Sequence, residues 1–353
     1  TQAGYLFLHR SGRAWLAARR GAPRARSETP LPVEEFKDLG GLLNAIRRHA
    51  PAAPRRIGFG FQVLRYEDVL CLRSLFPQAE AVDLSLVLRR LRRQKSLREC
   101  EYIRLAARQA DGAVKTAASL LRLGQTELEL SIRIEAYLRR KGHPGVVRFR
   151  EGTVTAMGFI VGGAEVFAPE RLAFWAGPGL SPAVPWGSGD RPFALHEPVF
   201  LQFFGSSAGY LALVTRNLSL GPPTAEAGWA YEAMGRVLRE VERRLGPGER
   251  VEKLFALATR TADFLGYEGY FLGIGGGPLW PLGHGLGMEA DELPLFFPGE
   301  KDVLQPGMVV AIVPKVFLPG LGLIGVGNTY LITPDGHEKL TDVPEEWRMV
   351  PPD

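Results

Sequence analysis

The residues singled out here for chemistry lie in the last quarter of the chain. His284 sits in Gly283-His-Gly-Leu-Gly287, and two adjacent carboxylates, Asp291 and Glu292, follow it. Imidazole and carboxylate are side chains of general acid–base catalysis, so His284, Asp291 and Glu292 are the weak catalytic candidates that residue type offers. An imidazole alone does not hold a metal ion against water. The plain reading of His284 is a hydrogen-bonded core histidine; the functional one is a polar group contacting a bound ligand. Glu289 and Lys315 are candidates for lining a pocket and fit exposed loop charges equally well. Cys71 and Cys100 fall in different predicted elements, which suits packing residues rather than a disulfide or a thiolate metal site. Gly273-Ile-Gly-Gly-Gly277 lacks the strand-loop-helix frame and the Gly-Lys-Ser/Thr of a phosphate loop, so phosphate binding is not expected there.

These groups must be positioned by a chain of 353 residues, too long for one ordinary core, and two domains are expected. With 46% hydrophobic and 23% charged residues the composition is that of a globular protein. No apolar run approaches the roughly eighteen residues of a membrane span, and no signal peptide opens the chain; the expected location is cytoplasmic. The chain begins at Thr1, and a trimmed start with a shortened first domain is expected. The net charge of +5 belongs to the first part, where residues 1–95 hold 18 Lys or Arg against 8 Asp or Glu. Arginine pairs such as Arg47-Arg48 and Arg92-Arg93 read as solvated faces, because no aromatic-interleaved platform accompanies them. A nucleic-acid partner is therefore disfavoured.

Residues 5–20 read as a hairpin through Ser11-Gly12, and 21–31 as a loop. A helix over 32–49, a strand over 56–61, a helix over 66–76 and a strand over 79–82 follow, which makes residues 1–95 a small α/β domain. Ser96-Leu-Arg-Glu99 and Thr126-Glu-Leu-Glu129 are capping boxes, and the helix between them repeats its apolar residues with a period near 3.6. The boundary is placed near Lys95, leaving 96–353 as the second domain. There, 146–163 read as strands, 164–196 as irregular, and 224–245 and 251–265 as helices stopped by glycine. The last eighty or so residues read as strand and loop. Residues 198–216 form a hairpin around a five-residue loop at 205–209.

That hairpin, Val199-Phe-Leu-Gln-Phe-Phe-Gly-Ser-Ser-Ala-Gly-Tyr-Leu-Ala-Leu-Val-Thr-Arg216, resembles the metal-binding hairpin of the pita-bread peptidases. This is the family of Xaa-Pro aminopeptidases, prolidases, methionine aminopeptidases and creatinase. Three further stretches carry the resemblance: Gly177-Pro-Gly-Leu-Ser-Pro-Ala-Val-Pro-Trp186; Gly283-His-Gly-Leu-Gly287 with Asp291-Glu-Leu-Pro294; and Pro306-Gly-Met-Val-Val-Ala-Ile-Val-Pro-Lys315 with Gly325-Val-Gly-Asn-Thr329. The resemblance implies an α+β protein, with a C-terminal pita-bread domain preceded by a small α/β creatinase-type N-terminal domain.

In that family two Mn, Co or Zn ions are held by two Asp, one His and two Glu, and the water between them attacks the peptide carbonyl. The five positions here fall on Gln202, Leu213, His284, Val313 and Gly327. Only the histidine remains, and neutral side chains do not offset the charge of two divalent cations, so no resident metal and no other cofactor are expected. Gln202 becomes the candidate partner of His284. Creatinase works without metal through a histidine whose equivalent falls near Trp186, and an indole does not shuttle protons at neutral pH. Phe200, Phe204, Leu213, Val313 and Trp186 would give the pocket an apolar floor. The preferred reading is a catalytically degenerate relative of Xaa-Pro aminopeptidase and prolidase, a homodimer binding a peptide, small molecule or partner. The alternatives are a hydrolase with metal-independent or weakly metal-dependent chemistry, and a scaffold that docks protein or nucleic acid.

Overall fold

A computed structural model describes residues 4–150, 152–154, 156–164, 176–273 and 280–352. The chain divides into two compact units, Thr1–Leu88 and Arg89–Asp353. Residues 274–277 of the glycine run and 165–175 of the segment expected to be irregular lie outside the described residues, as do 151 and 155 within the strand-rich stretch.

In the first unit, β1 (Gly4–Leu8) and β2 (Ala14–Ala18) form the expected hairpin, with Leu6 opposite Leu16. The expected loop after it instead contains a short helix, α1 (Ala22–Glu28). Proline in its first turn pre-sets φ, and Arg24 reaches Glu28 one turn on at 2.7 Å. The helix expected from residue 32 begins later. Val33–Glu35 is β3, laid parallel to β2, and α2 (Leu39–His49) starts after Asp38, whose carboxylate accepts from the Gly41 N–H at 2.8 Å. Strand β4 (Arg56–Phe59), helix α3 (Tyr66–Leu75) and strand β5 (Glu80–Asp83) complete the α/β alternation, β4 and β5 running parallel. Trp15, Phe36, Leu42, Ile46, Phe59 and Leu72 make the core. Helix α4 (Ser85–Arg93) carries the chain onward.

The second unit opens with α5 (Leu97–Leu120) and α6 (Glu127–Arg140), each started by the expected capping box. At α5 the Ser96 N–H donates to the Glu99 carboxylate at 2.7 Å while the Glu99 N–H donates back to the Ser96 hydroxyl at 3.4 Å. Strands β6 (Val147–Phe149) and β7 (Gly152–Val154) pair with each other. β8 (Gly158–Gly162), β9 (Val199–Ser207) and β10 (Tyr210–Leu220) then build an antiparallel sheet. The β9–β10 turn is tighter than expected, two residues rather than five. Ala208 and Gly209 both take positive φ, 50° and 86°, the backbone that matches strand twist and lets pairing run on to Ser207 opposite Tyr210.

Helices α7 (Ala225–Glu242) and α8 (Val251–Phe264) pack together. The strands that follow are β11 (Gly283–Gly285), β12 (Glu292–Phe296), β13 (Val309–Ile312), β14 (Lys315–Leu318), β15 (Gly322–Gly325), β16 (Asn328–Thr333), β17 (Gly336–Lys339) and β18 (Arg348–Val350). A five-stranded sheet has the order β12-β11-β13-β16-β17, β14 pairs with β15, and β18 adds to β10 at the edge of the first sheet. Thr215 and Gly327 bridge the two larger sheets, and helices cover the outer faces: α5 lies on β9 and β10, α7 on β14 and β15, α8 on β12. This is the α+β architecture the resemblance implies. No helix of the described residues is long and apolar enough to cross a membrane.

Candidate functional site

Strand alternation decides which side chains meet. Gln202 lies opposite Thr215 and Leu213 opposite Phe204, so Phe200, Gln202, Phe204, Leu213 and Thr215 share one face of the β9–β10 ladder. Phe159, paired to Gln202 from β8, joins them and stacks on Phe200 with ring centroids 5.8 Å apart. These side chains are all almost fully buried. The Gln202 side-chain amide oxygen accepts from the Thr215 hydroxyl at 3.3 Å. The Leu213 N–H donates to the Thr329 hydroxyl at 2.9 Å, which donates back to the Leu213 carbonyl at 2.8 Å.

The second sheet carries the other positions, and Gly327 and Thr329 meet the first at Thr215 and Leu213. His284 on β11 is level with Ala311 on β13, and Ala311 is level with Thr329 on β16. Gly327 exchanges both backbone hydrogen bonds with Thr215, at 3.1 and 3.0 Å. A Cβ at Gly327 would lie 2.7 Å from Val313 Cγ2 and 3.1 Å from the Ile312 carbonyl, so Val313 fills the space a side chain at 327 would need. Arg216, beside Thr215, ties these elements together: its guanidinium donates to the carbonyls of Thr215, Gly327, Val343 and Pro344 and to the Asn328 side chain, at 2.6 to 2.8 Å.

His284 is 4% exposed, and its Nδ1–H donates to the Gly285 carbonyl at 3.1 Å. Burial pushes its imidazole down to about 4, opposed by that bond and reinforced by the nearby Lys315 ammonium, so the ring is neutral at pH 7. Lys315 is itself buried, and loss of solvation pulls its amine down to about 8. Its ammonium sits over the Trp280 ring, 4.7 Å from the centroid. Trp280 is a neighbour the sequence reading missed. An aromatic four residues before the histidine gives no signal of the lysine that covers it.

The donor set at the five positions is one imidazole and one amide, with Leu213, Val313 and Gly327 contributing no side-chain donor. Among the described residues no group of three or more His, Cys, Asp or Glu is placed to hold a metal ion. A neighbouring ammonium adds repulsion. The residues present do not fit two divalent cations, which take carboxylate-rich oxygen or mixed donor sets.

Asp291 and Glu292 are both hydrogen-bonded. Glu292, 5% exposed, accepts from Arg92 at 2.6 Å, from Lys95 at 3.0 Å and from the Met288 N–H at 3.0 Å. Glu289 accepts from Arg92 at 3.0 Å. Asp291 accepts from the Arg150 N–H at 2.8 Å, and burial raises its carboxyl. These bonds give each of the three carboxylates a partner, and partners 141 to 200 residues away in sequence left no local signal. Trp186 is half-buried against the larger apolar cluster, in a loop closed by hydrogen bonds from Gly187 to Ala176 and from Gly179 to Gly187. Two surface clefts, of about 250 Å³ around Pro51–Pro54 and Phe76 and about 340 Å³ around Tyr267, Tyr270 and Pro319, include none of the candidate residues.

Residues 101–334 match metallopeptidase family M24, and residues 1–94 match the creatinase/prolidase N-terminal domain. An Xaa-Pro dipeptidase of Pyrococcus furiosus is 25% identical over 324 residues, 91% of this chain and 82% of that relative. An uncharacterised peptidase of Bacillus subtilis is 25% identical over 293 residues, 83% of this chain and 74% of the relative. Among solved structures, the prolidase of Pyrococcus horikoshii superposes with a TM-score of 0.79 at 24% identity, covering 97% of this chain and 88% of that one. The Xaa-Pro dipeptidase of Bacillus anthracis gives a TM-score of 0.80 at 21% identity, covering 99% and 89%.

Proposed function

Because the chain belongs to metallopeptidase family M24 and carries a creatinase/prolidase N-terminal domain, we propose that it is an Xaa-Pro peptidase-like protein that uses the family pocket to bind a ligand without a two-metal centre. One observation carries the reading: the side chains at the ligand positions are Gln202, Leu213, His284, Val313 and Gly327, with Val313 packed into the space beside Gly327. The metal-bridged water is the family's nucleophile, and without it neither neutral His284 nor the ion-paired Glu292 supplies a replacement. His284 then serves as a hydrogen-bonding group in an apolar wall.

The test is metal titration with a peptidase assay. Manganese, cobalt or zinc at millimolar concentration leaves the midpoint of thermal unfolding unchanged, dialysed protein retains no stoichiometric metal, and Xaa-Pro dipeptides are not cleaved. Chelator-sensitive cleavage by protein that keeps about two ions per chain overturns the proposal.

A further inference from the structure

We propose that the surface cleft formed by the first turn of α7, the end of α8 and the β14–β15 turn binds a small organic cation of the quaternary ammonium type. The cleft has a volume of about 340 Å³ and is lined by Glu226, Tyr267 and Tyr270 together with Leu265, Gly266 and Pro319. None of the five ligand positions lines it, so the inference does not rest on the reading above. Among the described residues no Lys, Arg or His lines it either, and the Glu226 side chain makes no ion pair or hydrogen bond. A carboxylate in the first turn of a helix is stabilising on its own account, so Glu226 alone would mean little. Beside it, however, are two phenol rings. Ring quadrupoles attract a weakly hydrated cation and the carboxylate balances its charge, whereas a primary ammonium gives up more hydration on entering.

The backbone around the rings adds acceptors and few donors. Helix α8 ends in a Schellman motif at Gly266, φ 88°, where the Tyr267 N–H donates to the Ala262 carbonyl at 3.0 Å and the Gly266 N–H to the Asp263 carbonyl at 2.9 Å. The Tyr270 N–H donates to the Tyr267 carbonyl at 3.1 Å, and the Phe317 N–H of β14 donates to the Tyr270 carbonyl at 3.4 Å, which ties the two tyrosines to the sheet. Among the described residues the carbonyls of Leu265 and Gly266 accept no hydrogen bond, and Pro319 has no N–H to offer. The charge felt at this end of α8 is negative. The Tyr267 phenol and the Asp263 carboxyl are both held above their ordinary ranges, by burial first and then by Glu226 and Glu268 respectively. Tyr270 is 39% exposed, so the cleft is open to an arriving ligand.

Isothermal titration of the full chain tests this with choline, with 3,3-dimethylbutan-1-ol, which has the same shape without the charge, and with ethanolamine. Choline is expected to bind at least about fivefold more tightly than the alcohol or the primary amine. Glu226→Gln is expected to lower the choline-to-alcohol preference at least about twofold, and Tyr270→Leu to weaken choline binding at least about threefold. Equal affinity for choline and the alcohol, ethanolamine binding as tightly as choline, or no choline binding at millimolar concentration each overturns the inference. So does a preference unchanged in Glu226→Gln or choline affinity unchanged in Tyr270→Leu. Both side chains are exposed, and the unfolding midpoints of the two variants are expected to match the parent's. If either variant does not fold, the contrast among the three compounds in the unaltered protein decides alone.

Discussion

Replacing Glu292 by glutamine separates a structural carboxylate from a catalytic one. The substitution changes little volume and removes one negative charge from a group that is 5% exposed. Lys95, with its side chain 2% exposed, loses the carboxylate 3.0 Å away and keeps the Arg93 carbonyl at 3.1 Å. Burial already pulls the Lys95 amine below its ordinary range, and the Glu292 charge opposes that pull. Arg92 retains Glu289 at 3.0 Å, so the uncompensated charge is the lysine's. Removing one partner of a buried pair costs about 3–5 kcal/mol. At roughly 2–4 °C per kcal/mol for a domain of this size, Glu292→Gln should lower the unfolding midpoint by about 10 °C. Urea unfolding followed by far-ultraviolet circular dichroism measures the loss, and Lys95→Met in the Glu292→Gln background should restore at least half of it. A loss below about 1 kcal/mol, or no coupling between the two positions, would refute the assignment.

Other expectations follow from the same kind of accounting. Gly327→Ala places a methyl 2.7 Å from Val313 and should cost about 1–3 kcal/mol, with Val313→Ala relieving it in the double variant; unchanged denaturation curves would contradict the packing argument. His143 is 2% exposed, and burial, aided by Arg139, pushes its imidazole down to about 4 from an ordinary 6.5. Between those values the unfolded chain takes up a proton that the folded one refuses. The contribution is therefore present above pH 6.5 and lost as pH falls toward 4, by at most about 3 kcal/mol. Urea midpoints from pH 7 to 4.5 should fall less steeply in His143→Leu, and parallel profiles would count against it. Ser96→Ala removes the cap of α5 and should cost about 1 kcal/mol by the same measurement.

What the sequence made legible was local. The boxes at Ser96 and Thr126 announce α5 and α6 because capping is written within four residues. The β9–β10 ladder shows in its near-continuous apolar run, and its frame of Gly209-Tyr210 and Thr215-Arg216 places Gln202 and Leu213 on one face. Reading failed where a distant partner decides. Val33–Glu35 looks helical until β2 pairs with it, and nothing near Glu292 in sequence shows that Arg92 and Lys95 will pair with it from the other end of the unit. Lys315 resembled a loop charge because nothing near it in sequence says that Trp280 will cover it. The Arg216 cluster was equally hidden, since its acceptors are mostly backbone carbonyls that any residue type can supply.

The closeness of Val313 to the place a Cβ would take at Gly327 also constrains which substitutions the chain can accept. A glutamate introduced at 327 would strike the valine before it could reach any ion, so a substitution beginning there passes through a misfolded or weakened protein. The valine would have to change first, and that step alone opens a void without creating a working centre. Under the proposal that a two-metal centre is absent here, restoring it one substitution at a time at these two positions would weaken the fold before any ion could be held.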